Sequence, residues 1–255
     1  MNEMNKINAK ITQIRKKATG IYDISFDAKE IAKEAIPGQF ITVYSNDKSR
    51  MLPRPISICN VDKERGLVRI VFRVVGKGTD EFPKAKVDDT FDIMGPLGNG
   101  FPEVTDDTIV IGGGIGIPPM LNVALNSPKK VKAVLGFRDE LFLTDEFEKC
   151  SDLYIASEDG KRGVKGNVVD ALKEYDLKPD TIYACGPTPM LRALKSYCEE
   201  KGIRLYVSLE ERMGCGIGAC LACVCKTKEI DGHSNVNNAR ICKEGPVFLA
   251  TEVEL

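Results

Sequence analysis

The sequence predicts a β-barrel plus α/β protein: an antiparallel barrel over residues 1–102, a parallel-sheet α/β domain over 103–209 and a small cysteine-rich C-terminal domain over 210–255. Three changes of rhythm carry this reading. Up to Pro102 the chain consists of short β-branched or alternating runs separated by turn residues, as in an antiparallel sheet or barrel. It then alternates strand, glycine turn and helix, which implies a parallel sheet with helices on its faces. From Glu210 onward glycine and cysteine rise while periodicity weakens, so metal ligands are expected to organise the tail. The 255 residues accommodate this division, since a domain takes roughly 150 residues as a soft prior.

In the first part the expected strands are Ile11 to Ile14, Ile21 to Phe26, Gln39 to Tyr44, Pro55 to Ile58, Leu67 to Val75 and Thr90 to Ile93. Ala28 to Ala35 has helical composition and fits a short helix or loop. In the second part Thr108 to Ile111 is an apolar strand, Gly112 to Gly116 a turn and Pro118 to Ala124 a helix. Strands follow at Val131 to Phe137, Leu153 to Ala156, Thr181 to Cys185 and Arg204 to Leu209, with helices at Val168 to Tyr175 and Pro189 to Lys201. Glu210 to Met213 precedes the cysteine loop; a solvated charged turn is preferred over packing near a cofactor, and it is assigned no role.

Charge narrows the function. With 36 basic and 37 acidic residues the net charge is -1, and no basic block is present to neutralise a phosphate backbone, so nucleic acid is not an expected partner. The uncharged stretch Thr108 to Pro128 has four glycines and three prolines, which would leave backbone groups unpaired in lipid. No membrane span is expected. Met1 to Lys10 lacks the apolar run of a secretory signal, and a cytoplasmic location follows as the default. The single histidine, His233, excludes any site that needs two imidazoles.

Nine cysteines, four of them within the eleven residues from Cys215 to Cys225, suit metal chemistry in a reducing compartment better than disulfides. Cys215, Cys220 and Cys223 are separated by four and then two residues, with Cys242 further on, which is the plant-type spacing for a [2Fe-2S] cluster. Gly214, Gly216, Gly218 and Ala219 let the backbone approach such a cluster with its N–H groups inward. The alternative is a zinc-binding interaction module, but zinc sites of four cysteines come as paired C-x2-C knuckles and only Cys220 to Cys223 forms one. Cys225 shares a face with Cys223 in extended chain and ranks below it as a ligand. Cys59, Cys150 and Cys198 read as ordinary buried or half-buried thiols with no assigned role.

Gly112 to Pro119 follows a strand and opens a helix, so its amides can hold a pyrophosphate. Cys185-Gly186-Pro187 would sit beside it at the carboxyl edge of the same sheet. In the first part, Arg54-Pro55-Ile56-Ser57 and Gly76-Lys77-Gly78-Thr79 form another pair: an arginine and a glycine-threonine turn can bind a diphosphate, and a serine hydroxyl can reach a ring nitrogen or oxygen.

In order, the motifs are RPIS, GKGT, GPLGNGFP (Gly95 to Pro102), GGGIGIPP, CGPTPML (Cys185 to Leu191), MGCGIGACLACVCK (Met213 to Lys226) and a closing stretch from Cys242 to Phe248. This order resembles the ferredoxin-reductase-like flavoprotein superfamily and, within it, the electron transfer subunits of type B dihydroorotate dehydrogenases. The resemblance implies an antiparallel FAD-binding barrel, a parallel-sheet NAD-binding domain and a small [2Fe-2S] domain. It assigns FAD to Arg54, Pro55, Ile56, Ser57, Val71, Phe72, Arg73, Gly78 and Thr79, and the cluster to Cys215, Cys220, Cys223 and Cys242. It assigns NAD to Gly114, Gly116, Cys185, Gly186 and Pro187. Asp139 could accept from the adenosine ribose and favour NAD, whereas Arg138 could favour a 2'-phosphate; NAD is preferred through the resemblance. The superfamily usually has an aromatic residue where Ile56 stands, so no ring is expected to stack there. An FMN-containing catalytic subunit is the implied partner, in a heterotetramer that serves pyrimidine biosynthesis. Related complexes of the same domain order, such as an NADH-dependent ferredoxin:NADP oxidoreductase or a sulfhydrogenase, are the alternatives, along with a self-contained reductase.

Overall fold

A computed structural model describes residues 5–105, 107–230 and 235–255; His233 and the first four residues lie outside these. The first strands are β1 (Asn5–Ala18), β2 (Ile21–Asp27), β3 (Phe40–Val43), β4 (Arg54–Asp62), β5 (Leu67–Arg73) and β6 (Thr90–Leu97). They close an antiparallel barrel in the order β1-β2-β5-β4-β3-β6. Alternation drives this closure, because a strand with one apolar face buries it only by wrapping around a shared core. Ile11, Ile24, Ile41, Ile58, Ile70 and Ile93 meet in that core. Ala28 to Ala35 supplies the short helix α1 (Lys29–Glu34), which adds Ile31 and Ala32.

The second sheet contains β7 (Thr108–Gly113), β8 (Val131–Phe137), β9 (Ser151–Ser157), β10 (Val164–Lys165), β11 (Thr181–Cys185) and β12 (Arg204–Ser208), all parallel. Helices α2 (Ile117–Leu125), α3 (Thr144–Cys150), α4 (Val168–Glu174) and α5 (Thr188–Lys201) connect them. Helix α3 has no counterpart in the sequence reading: only Phe147 of its seven residues is buried, too little to leave a helical period.

The tail contributes β13 (Val224–Lys226), β14 (Asn238–Arg240) and β15 (Val247–Leu249). The first two pair with each other, while β15 adds an antiparallel edge to the parallel sheet beside β12, with Ser208 opposite Val247. The residues after 210 are therefore interlocked with the sheet. Asn99 at the end of the barrel binds them too, donating to the Glu244 carbonyl at 2.8 Å and accepting from the Val247 N–H at 3.1 Å.

Barrel and sheet meet along a mixed seam. Phe101 stacks on Tyr183 with centroids 4.9 Å apart, and buried Asn122 of α2 donates to the Ile58 carbonyl of β4. Beside them runs an ionic chain in which Arg69 binds Asp23 through two bonds of 3.0 and 2.9 Å and Glu146 at 2.9 Å, with Lys17 at 3.0 Å from Glu146. Among the described residues no helix is long and apolar enough to cross a membrane.

Candidate redox site

A cavity of about 490 Å³ opens where all three parts converge. Strand β4 brings Arg54, Pro55, Ile56 and Ser57 to its wall, and β5 brings Val71, Phe72 and Arg73. Thr79 joins them from the turn after β5, pinned by a bond from the Val75 N–H to its hydroxyl at 3.0 Å. Gly78 lies under Arg54: a Cβ there would fall 2.0 Å from the guanidinium Nε. The two motifs, distant in sequence, thus form one cationic corner suited to a diphosphate. Ile56 presents an aliphatic wall, and Phe40, Leu209 and Pro246 extend the apolar lining.

Ile115 of the glycine turn lines the same cavity. Next to it, Gly116 packs so closely on the end of β11 that a Cβ would sit 2.3 Å from the Cys185 carbonyl oxygen. Gly114, at φ +53°, has open space above it, and Pro187 begins α5 against Gly113. Gly114, Gly116, Cys185, Gly186 and Pro187 are therefore neighbours at the carboxyl edge of the sheet, where nucleotides bind in such folds. Asp139 is separate, exposed in the loop beyond β8.

Glu210, Glu211 and Arg212 are exposed, as a solvated charged turn implies, and together with buried Met213 they also line the cavity, a placement the sequence reading gave no role. Burial raises the Glu210 carboxyl above its ordinary value, crowded by protein although the cavity leaves it accessible. Its Oε1 lies 4.0 Å from the Cys185 sulfur. Burial, then the Glu210 charge, pushes the Cys185 thiol well up. The sequence around Glu210 offers only charge, which is the common signature of a surface turn.

Two residues past Met213 the cysteine loop begins. Its sulfurs fall into two interacting pairs, Cys215 with Cys220 and Cys223 with Cys242. Backbone N–H groups point at them: Ile217 and Ala219 donate to Cys215 at 3.4 and 3.3 Å, Cys215 to Cys220 at 3.4 Å, Gly218 to Cys242 at 3.1 Å and Cys242 to Cys223 at 3.4 Å. Burial opposes a thiolate at Cys215, but these N–H groups and Cys220 outweigh it and bring its pKa down to about 7. Gly216 presses on β3, where a Cβ would be 2.8 Å from Thr42 Cγ2. The buried Thr42 hydroxyl at this seam has no hydrogen-bond partner among the described residues.

Two pairs of cysteine sulfurs facing inward amides fit a two-iron cluster, in which each iron takes two cysteines, better than one tetrahedral ion that would gather all four. Among the described residues no three Cys, His, Asp or Glu side chains converge on a single ion position. Cys225 stands apart on β13, half-buried, its thiol raised by burial. Cys59 and Cys198 are buried and pushed up to about 12 for the same reason, as inert core thiols are.

Comparison with known proteins agrees. Residues 9–101 match the oxidoreductase FAD-binding domain, and residues 210–254 match the iron-sulfur cluster binding domain of dihydroorotate dehydrogenase B, which displaces the zinc module. A Bacillus cereus (strain G9842) protein named dihydroorotate dehydrogenase B (NAD(+)), electron transfer subunit, is 39% identical over 263 residues, spanning 99% of this chain and 100% of its own length. Its namesake from Fusobacterium nucleatum subsp. nucleatum is 40% identical over 252 residues, 93% of this chain and 94% of that one. Among solved structures, a chain of NADH-dependent reduced ferredoxin-NADP oxidoreductase aligns at TM-score 0.86 and 30% identity, covering 98% of this chain and 91% of its own. A ferredoxin reductase in carbazole 1,9a-dioxygenase shares the fold at TM-score 0.66 and 22% identity, over 78% of this chain and 67% of its own. With identity near two in five from end to end and both cofactor domains matched, the chain belongs to the family of dihydroorotate dehydrogenase B (NAD(+)) electron transfer subunits.

Proposed function

We propose that this chain is the electron transfer subunit between an FMN-containing dihydroorotate dehydrogenase catalytic subunit and NAD+, acting in the cytoplasm in pyrimidine biosynthesis as part of a heterotetramer. The observation that carries this reading is the shared cavity. Arg54 to Ser57 of the barrel, Ile115 of the glycine turn and Met213 of the cysteine loop all line it, so three binding regions lie within one short path. The domains are proposed as 1–102, 103–209 and 210–255, with β15 as the strap that ties the last to the second.

Arg54 with Gly78 and Thr79 would hold the FAD diphosphate, while Pro55, Ile56, Ser57, Val71, Phe72 and Arg73 orient the ring. Gly114 and Gly116 would receive the NAD pyrophosphate, with Cys185, Gly186 and Pro187 walling the nicotinamide and Asp139 near the ribose. Cys215, Cys220, Cys223 and Cys242 would hold the cluster, their N–H donors stabilising negative charge on sulfur. When bound, FAD supplies the exchange between two-electron hydride chemistry and the one-electron chemistry of an iron-sulfur cluster. No side chain here is needed as an acid or base toward dihydroorotate.

The test is an anaerobic visible spectrum of the reconstituted chain before and after NADH, with iron, sulfide and FAD analysis. Flavin and cluster absorbance that bleach with NADH, together with orotate-dependent NADH oxidation when the catalytic subunit is added, are expected. A colourless product, or zinc without iron, would end the proposal. The likeness to an NADH-dependent reduced ferredoxin-NADP oxidoreductase favours a second reading, transfer within that type of complex. Turnover only with ferredoxin and NADPH would select it.

Gly116→Ala probes the nucleotide site, because the added methyl must part the glycine turn from the Cys185–Gly186 backbone. A shift of about 1 Å can cost on the order of a hundredfold. We expect kcat/KM for NADH to fall by up to about that factor, with FAD content unchanged.

A further inference from the structure

We propose that Glu158 makes the nucleotide site selective against a 2'-phosphate by engaging Arg138, an inference that rests on the dinucleotide site proposed above. The strand order β9-β8-β7-β11-β12, with the glycine turn after β7, reverses direction between β7 and β11. A dinucleotide lying across that point extends its adenosine half over the carboxyl end of β8. Two segments meet there. Arg138, Asp139 and Glu140 follow β8, and Glu158 follows β9, its N–H donating to the Phe137 carbonyl at 3.3 Å.

Several charges in this corner are engaged, and Arg162, whose carbonyl closes the turn after Glu158, is a further exposed cation. Glu140 is turned to the barrel, accepting from the N–H and hydroxyl of Thr19 at 2.9 and 2.5 Å. Lys161 pairs with Asp159 at 3.2 Å. Arg138 Nε lies 3.9 Å from Glu158 Oε2, with both side chains mostly exposed at 80% and 70%. The turn that carries Glu158 is fixed, since Ser157 Oγ donates to the Arg162 carbonyl at 2.8 Å and the N–H groups of Gly160 and Gly166 bind the Ser157 carbonyl at 3.1 and 3.0 Å.

An arginine at this position offers a planar fork that matches phosphate. Glu158 sets a carboxylate against Arg138 where a 2'-phosphate would bind, so it competes for the guanidinium and repels the phosphate. A ribose 2'-hydroxyl is neutral and can donate to either carboxylate. Asp139 alone would leave Arg138 able to serve a phosphate; Glu158 engages it instead.

The test measures binding of adenosine 2',5'-diphosphate and 5'-AMP by titration calorimetry, using the full chain loaded with FAD and cluster. An exposed ion pair adds little to stability, so the variants should fold. Wild type should prefer 5'-AMP. Glu158→Gln should strengthen binding of the 2',5'-diphosphate by about tenfold, as one charge-assisted contact allows, while 5'-AMP affinity stays put. Adding Arg138→Ala to Glu158→Gln should erase the gain. An unchanged ratio of the two affinities in Glu158→Gln, or a gain that survives Arg138→Ala, overturns the proposal. If wild type binds neither compound, the nucleotide site itself is refuted and this inference with it.

Discussion

Cys220→Ser is expected to remove the cluster while leaving the flavin. Cys220 is exposed at the rim of its loop, and its sulfur accepts from the Cys215 N–H. A serine oxygen at that position is a poor replacement for a thiolate, so one iron would keep a single protein sulfur. Losing a hydrogen-bond partner behind a metal ligand already costs about 10–100-fold in affinity, and losing the ligand should exceed that. Iron and acid-labile sulfide should fall to background, with partner-coupled electron transfer lost. FAD content and its reduction by NADH should persist, because Arg54, Ser57, Val71 and Thr79 do not depend on the loop. Loss of flavin as well would mean that the tail cannot be disturbed separately, for which the Asn99 bonds and β15 supply the route.

Arg69→Met should be the most destabilising change at the barrel–sheet seam. Asp23 is 1% exposed and takes two bonds from Arg69, so the substitution leaves this buried carboxylate, among the described residues, only Lys17, 3.5 Å away. Removing one partner from such a pair costs about 3–5 kcal/mol, to be read as a fall in the denaturation midpoint. Glu146→Gln tests the other end through pH. Burial works against its charged form, but bonds from Arg69 and Lys17 prevail and hold the carboxyl down to about 2, from an ordinary value of 4.5. Because the folded-state value is the depressed one, this stabilisation is complete above the ordinary value and drains away as pH falls from 4.5 toward 2. Wild type should therefore lose stability over that acid interval more steeply than Glu146→Gln. Parallel curves would show that the ionic chain does not hold the seam.

The barrel and the parallel sheet were legible because their signals are local. A period of two with turn residues, as in Ile21 to Phe26, and a glycine turn between strand and helix, as at Gly112 to Gly116, reflect how each segment buries its own apolar side. The cysteine spacing was legible for a similar reason, since three proposed ligands on one tight loop encode their geometry in their separation. Helix α3 was not, because seven residues with Phe147 alone buried leave no period.

By itself, then, the sequence determined the barrel followed by the parallel sheet, the cysteine loop after them, and the cysteines and glycines proposed to carry the chemistry. Only the tertiary structure decided where their edges meet. Val247 to Leu249 join the sheet rather than the tail, the exposed turn Glu210 to Arg212 and buried Met213 line the cavity, and Glu158 stands beside Arg138. Each depends on contact between segments far apart in the chain. A short apolar run or a charged turn has the same composition whether it meets water or another strand, and folding alone supplies the partner.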